Sequence, residues 1–376
     1  MNFTCFTAYR KETTMLKKKT LIALLLVLAM LLSVGCAKTA APQEAAAPAA
    51  ETAEPVPEKP VQEEPAPQES APEEPEKPET RETVRLGILK GPTGIGAAQL
   101  LKGNESGETV NSYEVTIAAE ATEIVSMVAA GQLDIGAVPT NAAAALYNKT
   151  QGGIRILALN TAGVLYILEQ GDTIHSMADL KGKTIYSVGQ GANPEYVLRY
   201  LLAENGLEDG KDVTVEFLDS AELTTKAAAG EIEVCMLPVP AVTTVLMKNG
   251  NMRSALDLTE EWDKLDNGST LTMGCVIAPA SYVQEHPQAV ADFLKEYEAS
   301  ISFVRSDPAA GAAYCEQFEI VPNSKVAEKA IPEANLIFIA GAGIRPAIEG
   351  YYKVLFDSDP KSIGGALPGD DFYPAA

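Results

Sequence analysis

Two glycine-rich turns follow apolar, strand-like segments and could present backbone N–H groups to a small molecule. They read GPTGIG at 91–96 and GQGAN at 189–193. The first matches neither the dinucleotide fingerprint nor the phosphate loop with its Lys and Ser or Thr. N–H groups at a helix start attract acceptor groups, and glycine permits close approach. We expect these turns to bind a ligand through Thr93, Gly94, Ile95, Gln190, Gly191, Ala192 and Asn193. The alternative is that glycine serves only to make a tight connection.

Two carboxylates, Glu120 and Asp219, follow corresponding strand-like segments. If both face one ligand, they could hold a cationic ring, with Tyr166, Tyr186 or Tyr196 available for stacking. The alternative is that Asp219 caps the following helix and that Glu120 is solvated.

Catalytic and metal-binding combinations are scarce in this sequence. His175 and His286 are the only histidines, so neither a two-His metal site nor a Ser-His-Asp arrangement suggests itself. We therefore expect no enzyme, no metal and no cofactor. The single tryptophan, Trp262, lies in the acidic segment TEEWDK, for which we expect a partly exposed surface helix.

Strand-like and helical patterns alternate along the chain, which predicts an α/β fold with mostly parallel sheets. The strand-like segments are 84–89, 113–118, 134–138, 154–159, 184–188, 213–218 and 233–237. A body of this length exceeds what one core usually serves, so we expect two lobes.

An internal repeat supports two similar lobes. Residues 120–149 align with 219–248 at a constant offset and without a gap, matching Gly131 to Gly230 and Pro139 to Pro238. Each copy reads as a helix, a glycine turn, a short strand ending at proline and a second helix.

The lobes must be joined, and the strand-like segments 164–168 and 271–277 are placed to provide two hinge crossings. We assign 83–165 and 274–376 to lobe one and 166–273 to lobe two. A long amphipathic helix beginning near Pro287 should pack back on lobe one. A hinged pair of lobes favours a ligand in the cleft between them.

The first 36 residues predict export and lipid anchoring. Three lysines at 17–19 precede the apolar run 21–32, and Ser33-Val34-Gly35 leads to Cys36. This order is typical of a lipoprotein signal peptide, with Cys36 lipidated and Met15 a possible true start. We expect a protein held on the extracytoplasmic face of a bacterial cell membrane.

Residues 37–82 predict a disordered tether, since they contain ten prolines and twelve glutamates. The remaining body carries −18 of the total charge of −22, which disfavours nucleic acid as a partner. Its three cysteines, Cys235, Cys275 and Cys315, cannot all pair. We favour buried free thiols, with a Cys235–Cys275 disulfide left open.

Residues 83–376 resemble the solute-binding lipoproteins of ABC importers, in the sulfonate, nitrate and thiamine-precursor branch of the type II periplasmic-binding fold. The resemblance rests on Cys36, on the strand and turn of 85–96, on GQLDIGAVPTN at 131–141 and on PKSIGG at 360–365 with DDFY at 370–373. In that family, loops at strand ends gather the ligand. This adds Pro139, Thr140, Asn141, Pro238 and Val239 to the expected contacts, although Asn141 could simply start a helix.

The resemblance implies a monomer that captures a small solute and delivers it to a membrane permease. Lys90 is the only basic residue in the inferred cleft loops, so we favour a thiamine-like or pyrimidine solute over a sulfonate, taurine or nitrate. Two other classes stay open. One is an enzyme resembling the thiamine-pyrimidine synthases of the same fold family, and the other is a sensory or scaffolding body that binds a protein.

Overall fold

The computed structural model describes residues 81–374. The predicted signal peptide, Cys36 and most of the predicted tether lie outside these residues. No helix within 81–374 combines the length and apolarity needed to span a bilayer.

Residues 81–374 contain eleven strands, which form two sheets. In chain order the strands are β1 (Thr83–Leu89), β2 (Ser112–Ala118), β3 (Ile135–Pro139), β4 (Ile154–Ala162), β5 (Leu165–Gln170), β6 (Thr184–Ser187), β7 (Thr214–Phe217), β8 (Val234–Pro238), β9 (Met252–Asp257), β10 (Thr272–Pro279) and β11 (Leu336–Ala340). The first sheet has the order β11-β4-β10-β3-β1-β2 and the second the order β7-β6-β8-β5-β9. All seven predicted strands are confirmed, whereas β9 and β11 were not predicted.

Both sheets are mixed, which corrects the expectation of mostly parallel pairing. Strand β1 runs parallel to β2 and β3, and β6 runs parallel to β7 and β8. The remaining ladders, formed by β4, β5, β9, β10 and β11, are antiparallel. The reason is that a strand entering a sheet directly from the other lobe, as β5 and β10 do, arrives without a crossover helix and runs against its neighbours.

Within the described part of the chain, thirteen helices flank the sheets. They are α1 (Pro92–Ile95), α2 (Ala98–Ser106), α3 (Ala121–Ala129), α4 (Thr140–Lys149), α5 (Asn193–Glu204), α6 (Ser220–Ala229), α7 (Ala241–Lys248), α8 (Leu258–Asp263), α9 (Ala280–Glu285), α10 (Pro287–Ser306), α11 (Pro308–Gln317), α12 (Ser324–Ala330) and α13 (Ile344–Ser358). Short 3₁₀ turns cover Met177–Leu180, Ile331–Glu333, Gly341–Gly343, Pro360–Ile363 and Asp370–Phe372. The predicted long helix is α10, which packs on α2.

The two sheets repeat one plan. Helix α3, strand β3 and helix α4 occupy the first copy of the sequence repeat, and α6, β8 and α7 occupy the second. In both sheets the strand after the glycine turn lies between a parallel neighbour and an antiparallel crossing strand, β10 in one and β5 in the other. We call the first sheet with α1–α4 and α9–α13 lobe one, and the second sheet with α5–α8 lobe two.

The chain changes sheets twice. It passes from β4 to β5 through residues 163–164 and returns from α8 to β10 through 264–271. These crossings lie a few residues before the boundaries expected from the sequence. A Cβ atom at Gly163 would meet the Thr259 hydroxyl oxygen at 2.2 Å, so the first crossing packs tightly against α8.

The core is continuous through the hinge, because each of two apolar clusters contains residues of both sheets. Cys235, Cys275 and Cys315 are buried free thiols, which confirms the favoured reading and excludes the Cys235–Cys275 disulfide in this structure. Burial raises the pKa of Cys235 and Cys315 to about 12.

Candidate functional site

The carboxyl ends of the parallel strands of both lobes face each other. Asn193, at the start of α5, hydrogen-bonds Thr140 at the start of α4. On the other side, a Cβ atom at Gly91 would lie 4.0 Å from Cδ of Pro240. Loops of the two lobes therefore approach each other across one interface, which we call the cleft.

The first glycine turn uses its amides internally. The N–H groups of Gly94 and Ile95 both donate to the carbonyl of Gly91 at 3.1 Å. A Cβ atom at Gly94 would lie 1.9 Å from the carbonyl oxygen of Leu89, so glycine is required there by packing. The half-buried Thr93 accepts a hydrogen bond from Asn160 at 3.3 Å. These contacts favour the alternative of a tight connection for Gly94 and Ile95.

In the second turn, Asn193 lies between the lobes with 1% of its surface exposed. Its Nδ2 donates to Thr140 Oγ1 and to the Met273 carbonyl, both at 3.0 Å. Its Oδ1 accepts from the Tyr351 hydroxyl, also at 3.0 Å. All of these partners belong to lobe one. In this structure Asn193 joins the lobes, which is a different role from the expected ligand contact.

Thr140 and Asn141 are likewise engaged with protein. The Thr140 hydroxyl donates to the Thr272 carbonyl at 2.7 Å, and its own carbonyl accepts from Tyr352 at 2.9 Å. Asn141 is 5% exposed, and its Nδ2 donates to the Ser362 carbonyl at 3.3 Å, whereas its Oδ1 is buried without a partner within 81–374. Both side chains therefore donate hydrogen bonds to backbone carbonyls of lobe one.

The rest of the second turn is more open. Gly191 N–H donates to the Glu195 carboxylate at 2.6 Å, and Ala192 N–H donates to Gly189 at 3.0 Å. Gly189 and Gly191 have φ values of 72° and 74°, which glycine adopts without strain. Gln190 is exposed on this turn.

The predicted carboxylate pair does not act as a pair. Asp219 caps α6, accepting from the N–H groups of Ala221 at 2.8 Å and Glu222 at 3.3 Å. Glu120 precedes α3, makes no side-chain cap and is exposed. The structure therefore matches the alternative stated from the sequence, in which Asp219 is a helix cap and Glu120 is solvated.

The remaining expected contacts lie at the ends of β3 and β8. Pro139 and Pro238 end these strands half-buried, and Val239 is buried with its N–H donating to Val164 at 3.0 Å. Three tyrosines were expected to be available for stacking on a ligand. Tyr186 and Tyr196 are half-buried, and Tyr166 lines a cavity beside the hinge. Burial, then the charge of Asp359, raises the pKa of Tyr196.

Sequence reasoning missed Asn160, Tyr351 and Tyr352, which support the cleft from β4 and α13. Asn160 is 1% exposed and donates to the Tyr297 hydroxyl at 2.8 Å. An amide side chain directly after the apolar residues 156–159 of β4 was the available signal. Within 81–374, no group of three or more His, Cys, Asp or Glu side chains could hold a metal ion.

Solved structures share this fold. An ABC transporter structure from Parabacteroides distasonis has a TM-score of 0.66 and 22% identity, covering 78% of this chain and 99% of its own. The periplasmic aliphatic sulphonate binding protein of Escherichia coli has a TM-score of 0.60 and 16% identity, covering 77% of this chain and 94% of its own. The fold is therefore that of the periplasmic binding proteins, as the resemblance implied.

Sequence comparison leads to the same group. A Brucella abortus protein named as a binding protein is 26% identical over 184 residues, which are 49% of this chain and 54% of the relative. The chain thus spans about half the length of the curated relatives it matches. The model of the family described as NMT1/THI5 like matches residues 113–311, which is more than half of the chain. The chain belongs to the NMT1/THI5-like family.

Proposed function

We propose that this chain is the solute-binding protein of an ABC importer, capturing a small molecule between its two lobes and delivering it to a permease. The observation that carries the proposal is the pair of similar sheets, whose strand ends approach each other across one cleft. Family membership and the likeness to transporter binding proteins support it. An enzyme is the weaker reading, because the cleft loops supply no paired acid and base.

The proposed solute is a thiamine-like or pyrimidine compound. An anion such as a sulfonate would need free N–H groups or a positive charge. The N–H groups of Gly94 and Ile95 are not free, because both donate to the Gly91 carbonyl. The ammonium of Lys90 lies 3.8 Å from the carboxylate of Glu319, which reduces its pull on an anion. The sulphonate ligand named for the Escherichia coli neighbour is the principal competitor.

A thermal-shift panel of thiamine, its pyrimidine half, taurine and nitrate tests both levels of the proposal. A ligand at about a hundredfold excess over its Kd should add about 2.7 kcal/mol to the free energy of unfolding. Gln190→Ala should weaken this effect, whereas Gln132→Ala, at an exposed glutamine at the other end of the strands, should not. A shift with taurine or nitrate alone overturns the solute class but keeps the transport role. No shift with any compound favours the protein-binding alternative.

We also propose that Cys36 carries a lipid that holds the protein on the extracytoplasmic face of the membrane, with 37–82 as its tether. The support is the charged, apolar and small-residue order before Cys36. Cys36→Ser should move the protein from the membrane fraction to the medium or periplasm, and retention at the membrane would contradict the anchor.

A further inference from the structure

A cavity of about 320 Å³ lies within lobe one, at the edge of the sheet where β11 pairs with β4. We call it the β11-side cavity, and its volume falls in the range of small-molecule sites. None of the residues that line it belongs to lobe two or is among the contacts expected in the cleft. The cavity is therefore separate from the cleft. Its wall includes Ala162 of β4, Arg305 of α10, Ile331, Asn335, and Leu336 and Ile337 of β11.

Most of the wall is apolar and is held in place by the core. Ile331 and Leu336 are 2% and 4% exposed, and Ala162 is half-buried. The Ala162 N–H donates to the Asn335 carbonyl at 3.0 Å, and Asn335 Nδ2 donates to the Gly163 carbonyl at 2.5 Å. These bonds fix the wall against the first crossing between the lobes. The apolar body of a ligand would therefore meet a preformed surface.

Arg305 is the only charged side chain that the described residues contribute to the lining. It lies exposed in the last turn of α10 and makes no ion pair within 4.0 Å and no side-chain hydrogen bond among residues 81–374. The nearest carboxylate in sequence, Asp307, caps α11 by accepting from Ala310 N–H at 3.0 Å. Glu333 lines a different cavity, together with Lys329. The N–H donors of this guanidinium are thus available, in a chain whose net charge is −22.

We infer that the β11-side cavity is an accessory binding site for a small monocarboxylate with an apolar or aromatic body. The carboxylate pairs with Arg305, whose planar fork matches two carboxylate oxygens, and the body lies against Ile331 and Leu336. A single guanidinium in an apolar wall balances one negative charge, so a dianion such as phosphate fits less well, and a cation is repelled. The site goes beyond the proposed capture of a solute in the cleft, because it lies in one lobe and takes an anion.

Titration of the full chain with benzoate, followed by nuclear magnetic resonance of the ligand, tests the site against benzamide and acetate. Benzamide keeps the ring and lacks the charge, whereas acetate keeps the charge and lacks the ring. We expect a Kd on the order of 1 mM for benzoate, which is typical of a ligand of this size. Benzamide should bind about three- to fivefold more weakly, because it cannot form the ion pair. Acetate should bind at least about tenfold more weakly, because it buries almost no apolar surface.

Four variants locate the binding. Arg305→Gln should weaken benzoate by about three- to fivefold and leave benzamide unchanged, because it removes the charge and keeps the apolar wall. Arg305→Lys should recover part of that loss, since it restores the charge without the bidentate fork. Lys295→Gln is the matched control, because it removes an exposed positive charge from the same helix outside the cavity, and benzoate affinity should stay unchanged. Ala162→Leu should weaken both ring compounds by filling the cavity.

The unchanged benzamide affinity of Arg305→Gln separates this site from a general stability effect, and a thermal melt of each variant establishes that it is folded. Benzoate binding with a Kd above about 10 mM overturns the inference. It is also overturned if benzamide binds as tightly as benzoate, or if Lys295→Gln weakens benzoate as much as Arg305→Gln does. Unchanged binding in Ala162→Leu, or loss of benzoate binding in the cleft variant Gln190→Ala, would place the ligand elsewhere and reject the site.

Discussion

Asn193 connects the lobes through buried hydrogen bonds, and replacing it should weaken the whole body. Asn193→Ala leaves the Tyr351 hydroxyl without the Asn193 acceptor and removes a donor from the Met273 carbonyl. Each buried polar group that loses its partner costs about 1–3 kcal/mol. Two such groups, with the small void left by the amide, predict a loss of about 3 kcal/mol in the free energy of unfolding. At about 2–4 °C per kcal/mol for a body of this size, Tm should fall by about 6–12 °C.

The assay is urea and thermal unfolding followed by circular dichroism. Asn251→Ala is the matched control, since Asn251 is exposed in a turn of lobe two. Tyr351→Phe completes a double-mutant cycle. Its cost should be smaller in the Asn193→Ala background than in the wild type, by about 1 kcal/mol, because the hydroxyl has already lost its acceptor. A loss below about 0.5 kcal/mol for Asn193→Ala, or strictly additive costs, would refute the reasoning.

Two further outcomes follow from contacts away from the hinge. Gly94→Ala should destabilise the chain by about 2 kcal/mol or more, because its Cβ would lie 1.9 Å from the Leu89 carbonyl oxygen; an unchanged melt contradicts this. Burial by itself raises the pKa of Glu169. Hydrogen bonds, led by those from Thr173, and the charge of Arg253 outweigh burial, so the net pKa lies below the ordinary 4.5. The stabilisation that the Glu169 carboxylate provides is therefore complete above its unfolded pKa and is lost as pH falls through its folded pKa. Glu169→Gln should accordingly reduce the dependence of Tm on acid pH. An identical pH profile of Tm in the variant would contradict this.

The fold was largely predictable because it repeats. Residues 120–149 and 219–248 carry the same spacing of glycine and proline, and each spacing is a local signal for a turn or a helix start. Strand direction was not predictable in the same way. The apolar segments of β5 and β10 have the composition of any buried strand, and only their entry from the other lobe makes them antiparallel.

The side-chain partners in the cleft could not be predicted, since they lie far apart in sequence. Asn193 meets residues 140, 273 and 351, and no local pattern encodes those encounters. The expectation that Trp262 is partly exposed is wrong for a related reason, although the helix around it does present Glu260 and Asp263 to solvent. Trp262 is fully buried, because α13 places Tyr351 against it and α5 places Tyr200 on its other side.

This burial gives the chain an intrinsic optical reporter. Trp262 is the sole tryptophan and belongs to lobe two. Its ring centroid lies 5.5 Å from that of Tyr351 on α13. The next residue of that helix, Tyr352, hydrogen-bonds the Thr140 carbonyl of lobe one. Rotation of one lobe against the other must change the surroundings of this indole. The emission spectrum of the unlabelled protein can therefore follow ligand uptake directly, without an attached dye.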